Sequence, residues 1–195
     1  MEPFAIDPDD ARSAHQRMIE GDWYIADDPE IQSAYRRGLA LTARFNDAYA
    51  GDPDGSQEIL KELLGTFGDG AHVRAPLRVD YGTRIHIGAG TFVNYGLVAL
   101  DVVDIRIGAN CQIATNVQLL TPVHPLEPQP RREGWEAAER ITIGDNVWIG
   151  GGAIIMPGVS IGNNVVIGAG SVVTKNIPDN VIAYGNPCRV VRENR

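Results

Sequence analysis

The sequence lacks more than it has. Two cysteines in 195 residues, Cys111 and Cys188, are too few for a disulfide framework. Basic residues are outnumbered 17 to 25, for a formal net charge of −8, which excludes broad binding to nucleic acid or to an anionic membrane. No run is apolar and long enough to span a bilayer, and no basic-then-apolar leader opens the chain. The expectation is a soluble, cytoplasmic protein. Large rings are scarce, with four Phe and three Trp, whereas glycine is abundant at 22. A chain so composed turns often.

What is present is a repeat. A branched or long apolar residue returns at every sixth position, at Ile107, Ile113 and Leu119, and then at Ile143, Ile149, Ile155, Ile161, Ile167 and Val173. A smaller residue follows four places later, as at Cys111, Val117, Val147, Ala153 and Ser171. The stretch "IGAGTFVNYGLV" from Ile87 has the same rhythm, offset by two residues. A period of six fits neither a helix nor an alternating strand. It fits a short strand and a tight turn, three of which close one triangular coil. The expected fold is therefore mainly β, a parallel β-helix of hexapeptide repeats. Residues 87–178 account for about four coils, roughly 20 Å tall at the strand spacing, with an irregular coil beginning near Val73. So short a prism has flat, strand-lined faces, which favour association between copies.

The repeat is interrupted once, by "TPVHPLEPQPRREGWEAAERITIG", Thr121 to Gly144. In a repeat fold, function sits where the pattern is violated. His124 stands where the chain departs, and residues 125–142 are polar and Pro-rich, so they are expected to project as a loop that walls a cleft. The ends of the chain have other periods. Residues 1–68 read as a helical domain: a short helix around "DDARSAHQRMIEG", one opened by Asp28-Pro29, and one in "GSQEILKELLGTF" with Ser56 as cap. Residues 69–195 form the β-helix domain, which ends in a tail, 179–195, that leaves the repeat at Pro178. The tail places Arg189, Arg192 and Arg195 with Lys175 as a basic cluster suited to a polyphosphate.

"MIEGDWY", "RRGLALTARFN", "TFVNYGLVALDV", "TPVHP", "ITIGDNVWIGGGAIIMPGVSIG" and "VIGAGSVVTKNIPDNVIAYGNPCRVVR" together resemble the maltose and galactoside O-acetyltransferases of the hexapeptide-repeat acyltransferase superfamily. The resemblance covers nearly the whole chain. It implies a left-handed β-helix, a homotrimer with active sites between subunits, and transfer of acetyl from acetyl-CoA to a sugar hydroxyl without a metal. It makes His124 the general base, the group that a hydroxyl nucleophile needs at neutral pH.

The resemblance implies further roles. Asn94 would hydrogen-bond the acceptor or the thioester in the cleft, and Asp27 or Asp28 would hold sugar hydroxyls. Asp101 and Arg37 are further acceptor-site candidates, and Tyr35 stands where relatives carry an arginine. Trp148, Gly151, Gly152 and Ala169 would line the pantetheine arm. Some relatives carry a serine at the position of Gly151; here only backbone N–H is left to stabilise an oxyanion. Thr174, Lys175, Arg189 and Arg192 would meet the adenine and phosphate end. Neither cysteine suggests a covalent acyl-enzyme.

Three other readings stand beside this one. Within the same chemistry, the acceptor could be a xenobiotic, such as an antibiotic, although the helical N-terminal domain favours the sugar enzymes. In another class, the prism could be a scaffold with no catalysis, which leaves the His-rooted loop and the basic cluster unexplained. A zinc carbonic-anhydrase-like prism needs three converging histidines; His15, His72, His86 and His124 include no close pair in the repeat region.

Overall fold

The computed structural model describes residues 4–7 and 9–194, so Arg195 lies outside the described residues. Three parallel sheets wrap one core as a β-helix. The first face stacks Thr66–Phe67, Ile85–Ile87, Ile105–Ile107, Ile141–Ile143 and Ser160–Ile161. The second stacks His72–Val73, Phe92–Val93, Gln112–Ile113, Trp148–Ile149, Val166–Ile167 and Val181–Gly185, and ends on the antiparallel strand Cys188–Glu193. The third stacks Arg78–Val79, Val98–Leu100, Gln118–Leu120, Ile154–Ile155 and Val172–Val173.

The prism has about six coils rather than four, because its coils differ in length. Partners on neighbouring strands lie 20 residues apart at Thr66↔His86 and Ile85↔Ile105, 18 apart at Ile143↔Ile161, and 16 apart at Ile167↔Ala183. The six-residue rhythm is visible only where the coil has 18. The first coil, from Thr66, and the last, through Ile177 and Val181–Gly185, are therefore masked in the sequence. The chain does not leave the prism at Pro178: it adds another strand and only then turns back.

The two extra residues of the coil after Ile87 sit at the corner Asp101–Asp104. They explain the two-residue offset of the early repeat, and they bury Val102 and Val103 in a second core with Met18, Tyr24, Ile31, Tyr81 and Ala138. The turns of the 18-residue coils carry asparagine or glycine in the left-handed region, for example Asn146 and Asn164 at φ 54° and 55°.

Helices α1 (Ala14–Glu20), α2 (Pro29–Tyr49) and α3 (Gln57–Leu63) cover the open N-terminal end. Ser13 and Gln16 form a reciprocal cap on α1. Asp28 caps α2 through the Glu30 N–H at 2.7 Å. Ser56 makes no cap bond to α3; its hydroxyl donates back to the Pro53 carbonyl. Leu41, Phe45, Leu60 and Leu63 continue the prism's core, so helices and coils share one apolar interior. Helix α2 can press this close because Gly38 has no side chain: a Cβ there would stand 2.6 Å from the Asp80 carbonyl oxygen.

The excursion leaves the third-to-first corner and is then tied down. It carries α4 (Pro128–Arg132) and the strand Trp135–Ala138. That strand pairs antiparallel with Pro122–Val123 on one side and with Tyr24–Ile25 on the other. The loop thus bridges the N-terminal segment and the prism.

Candidate active site

His124 follows the strand Pro122–Val123 and is exposed. Its Nδ1 lies 3.3 Å from the carbonyl oxygen of Trp135. A carbonyl can only accept, so this contact puts the proton on Nδ1 and leaves Nε2 as the basic nitrogen. What orients His124 is not visible in the sequence. The answer is backbone from the far limb of the excursion, delivered by strand pairing. Trp135 is in turn held by Phe4, whose ring meets both Trp135 and Trp23 edge-on at 5.6 and 5.3 Å. His124 opens onto a groove with Leu120, Glu139, Met156 and Thr174 along the third face.

A second hollow, of about 240 Å³, lies on the other side of Pro122, which lines both. Tyr24, Tyr35, Asp80, Tyr81, Val102 and Glu136 line it. Glu136 is the neighbour of Trp135, so one strand serves both cavities. Burial, and then the charge of Glu136, push the Asp80 carboxyl up to about 6. The Tyr24 phenol is driven upward by the same two causes. Neither acid stood out in the sequence: Asp80 reads as a turn residue, and Glu136 sits in a segment without periodicity.

The other candidates fall into two groups. Gly151, Gly152 and Ala169 lie at the second-to-third corner, where Asn94, Ala114, Gly150 and Gly168 form one column, each N–H bonded to the coil above. Among the described residues, the N–H groups of Thr115, Gly151 and Ala169 on that corner have no hydrogen-bond partner. Asn94 is half-buried there, and its side-chain oxygen accepts from the Tyr95 N–H at 2.8 Å. Trp148 is exposed on the adjoining second face, opposite Gln112 and Val166. Arg192 pairs with Ile182 on that face, and Arg189 with Tyr184 at the top of the column. Thr174 and Lys175 belong to the other group. They follow Val172–Val173 at the third-to-first corner, on the side of His124. The basic residues are therefore not one cluster; Lys175 is separated from Arg189 by the third face. Within one chain the two groups stand a face apart, roughly 15–20 Å at the rise of a strand.

Several acceptor candidates are engaged elsewhere. Asp101 is fully buried, and its carboxylate accepts from the N–H groups of Asp80, Tyr81 and Arg84 at 3.1, 2.9 and 3.2 Å. It clamps a corner and presents nothing to a ligand. Arg37 donates to the Glu62 carbonyl at 2.6 Å, docking α2 on α3. Asp28 is spent on its helix cap, and exposed Asp27 does not line the hollow. Among the described residues, no group of three or more His, Cys, Asp or Glu is placed to hold a metal ion.

Known proteins share this arrangement. Residues 17–68 match the maltose acetyltransferase hexapeptide capping motif, and residues 140–175 match the bacterial transferase hexapeptide of six repeats. The galactoside O-acetyltransferase of Escherichia coli K12 is 45% identical over 157 residues, covering 80% of this chain and 77% of that one. The crystal structure of a maltose O-acetyltransferase from Clostridium difficile 630 superposes with a TM-score of 0.93 at 44% identity, covering 95% of this chain and 100% of that one. A galactoside acetyltransferase in complex with coenzyme A superposes with a TM-score of 0.90 at 39% identity, over 94% of this chain and 92% of that one. With the capping motif and the repeats matched and relatives covering nearly the whole chain, the chain belongs to the maltose and galactoside O-acetyltransferase family of hexapeptide-repeat acyltransferases.

Proposed function

We propose that this protein transfers the acetyl group of acetyl-CoA to a hydroxyl of a sugar, directly, with His124 as general base. The observation that carries the reading is the contact of His124 Nδ1 with the Trp135 carbonyl, which leaves Nε2 basic at the mouth of the groove. In this reading the acceptor hydroxyl gives its proton to Nε2 as its oxygen attacks the thioester carbonyl. The tetrahedral intermediate collapses with loss of the CoA thiolate, which takes the proton back from the imidazolium. An acyl-enzyme is disfavoured, because both thiols are buried and burial pushes their pKa values up, away from the reactive thiolate.

Support for the cosubstrate comes from the bare corner. The free N–H groups of Gly151 and Ala169 are the donors that an extended pantetheine amide chain needs, and the Gly151 N–H is suited to a developing oxyanion. Asn94 lies at the lower end of this column. Arg189 lies at its upper end and Arg192 on the adjoining second face above Trp148 and Val166, where the phosphates of CoA would emerge. A galactoside acetyltransferase solved in complex with coenzyme A, with a TM-score of 0.90, supports the cosubstrate.

His124 lies at one corner with Thr174 and Lys175, and the other CoA-binding candidates lie at another. A complete site therefore requires two copies, each giving one corner to a shared groove. A homotrimer with three such grooves satisfies every copy equally. The sugar class rests on the family and on the capping helices; the xenobiotic alternative shares the base but has no observation in its favour.

His124→Ala tests the base. The expected result is a fall in kcat of roughly 10²–10⁴, with the oligomer and the KM for acetyl-CoA retained. An alanine variant with full turnover refutes the assignment. Sedimentation of an active single chain refutes the shared groove.

A further inference from the structure

The rings of Phe4, Trp23 and Trp135 meet outside both apolar cores. Tyr24 and Glu136 turn toward the hollow beyond Pro122, so their chain neighbours Trp23 and Trp135 face the opposite side of the small sheet. Phe4 lies between those two rings, edge-on to each at 5.3 and 5.6 Å. One ring from the N-terminal segment thus spans the Tyr24–Ile25 strand and the excursion strand. Little else holds Trp135 in place. The ladder from Pro122–Val123 reaches only Ala137, and the pairing with Tyr24–Ile25 ends at Trp135 itself. Gly134, just before it, stands at φ 87° with open space around it. Yet the Trp135 carbonyl meets His124 Nδ1 at 3.3 Å, which is already longer than a typical hydrogen bond. A small swing of this strand end breaks the contact.

We propose that Phe4 is a positioning residue for the reaction: it pins the Trp135 end of the excursion strand, and through the Trp135 carbonyl it holds His124 with Nε2 toward the groove. The inference rests on the reading of His124 as general base. A base is effective only when its rotamer and tautomer are fixed by the groups behind it, and here the group behind it is one carbonyl at a strand end. The segment that carries Phe4 is itself anchored. Arg12 pairs with Asp22 at 2.7 Å, with Asp10 at 2.8 Å and also with Glu20. Glu20 ends α1 and Asp22 adjoins Trp23, so the guanidinium ties the segment beside the strand that Phe4 clamps. Between the two anchors lies a hollow of about 200 Å³, lined in part by Ile6, Asp10, Arg17 and Trp23. The segment is therefore not packed into the body there, and the ring of Phe4 is what carries it to the excursion. Phe4 and Arg12 also precede the matched capping motif, which begins at residue 17. The pin is an addition to the cap.

The test uses the full chain and its Phe4→Ala and Phe4→Trp variants, with methyl glucopyranoside as acceptor and acetyl-CoA as donor. Two quantities are read: the steady-state constants, and the tautomer of His124 from nitrogen NMR of isotopically labelled histidine, with His124→Ala identifying its signals. Phe4→Ala should lower kcat by about 5- to 50-fold and leave the acetyl-CoA KM within about twofold of the parent. In the same variant the share of His124 with its proton on Nδ1 should fall, because the carbonyl that selects this tautomer is no longer held. Phe4→Trp keeps a ring between Trp23 and Trp135 and should restore both quantities. A purely structural role would lower Tm and leave the tautomer as it is. Full turnover in Phe4→Ala overturns the proposal, and so does a parent tautomer in that variant. Should Phe4→Ala not fold, Phe4→Leu is the milder change: a shifted tautomer in it upholds the pin, and a parent tautomer refutes it. If the parent protein does not acetylate methyl glucopyranoside, the enzymatic reading fails separately. The tautomer, read without substrate, then decides the pin by itself.

Discussion

Two corners of the same prism share one backbone and serve opposite ends. At the first-to-second corner, side chains close the gaps from Ala109 upward. The Ala109 N–H donates to Asp145, the Asp145 N–H to Asn163 and the Asn163 N–H to Asp179, at 2.7, 2.8 and 2.6 Å. Beside them, Asn146, Asn164 and Asn180 link side chain to side chain at 2.9 Å. At the second-to-third corner the corresponding residues are Thr115, Gly151 and Ala169, and their N–H groups point outward unpaired. A repeat fold offers the same row of donors at each corner; whether the row is stitched shut or left open depends on one side chain per coil.

Filling the open corner should have the largest effect on this contrast. Ala169 is exposed, so Ala169→Leu should fold normally, and it should raise the KM for acetyl-CoA by about 10- to 100-fold through steric exclusion. Steady-state kinetics with varied acetyl-CoA measure it. A wild-type KM would mean that the corner is bare for no reason of binding. The next effect belongs to the end of the corner. Arg189→Gln with Arg192→Gln should raise acetyl-CoA KM by roughly 3- to 10-fold and flatten its dependence on salt, while kcat at saturation holds. Equal salt slopes for the two proteins would reduce these arginines to a solvated surface.

The closed corner should respond in stability alone. Asp145→Ala leaves the Ala109 N–H without its partner, a loss of about 0.5–1.5 kcal/mol, or about 2–4 °C in Tm per kcal/mol in a chain of this size. Kinetic constants should not change. A calorimetric scan beside an activity assay separates the two corners. The smallest effect concerns the third corner, where burial raises Asp101 to about 6 in the folded protein. The unfolded value is lower, so the native state binds the proton more tightly. Ionisation of Asp101 therefore costs stability above about pH 6, and stability should rise as pH falls from about 6 toward 4. Asp80 contributes in the same direction. A Tm that falls steadily across that window in both the parent and Asp101→Asn would contradict the assignment.

The fold was largely legible because a six-residue period has few structural solutions, and the helical ends announced themselves by Asp28-Pro29 and by the stripe of Leu60 and Leu63. The first and last coils were not, because coils of 20 and 16 residues break the rhythm that made the others visible. In the site, His124 and Gly151 could be picked out as a break in the pattern and as a small residue within it. The short acids could not be sorted. The sequence offers Asp28 and Asp101 as acceptor residues and passes over Asp80; burial and bonding show that the first caps a helix, the third lines a hollow and the second clamps a corner. The orientation of His124 was out of reach altogether, since it comes from a main-chain carbonyl, and every residue has one.

The pairing of Tyr24–Ile25 with Trp135–Glu136 also has a consequence in time. A solenoid can be built as the chain emerges, each coil settling on the one before it. Here the segment made first waits for partners made about 110 residues later, roughly 5–20 s at ordinary rates of translation. Until then the cap of the growing prism is held from one side only, and the strand whose Trp135 carbonyl meets His124 does not yet exist. The last step of biosynthetic folding on this side of the molecule is thus the closing of the pocket wall. A nascent chain halted before Trp135 should carry stacked coils with an N-terminal segment that is open to protease.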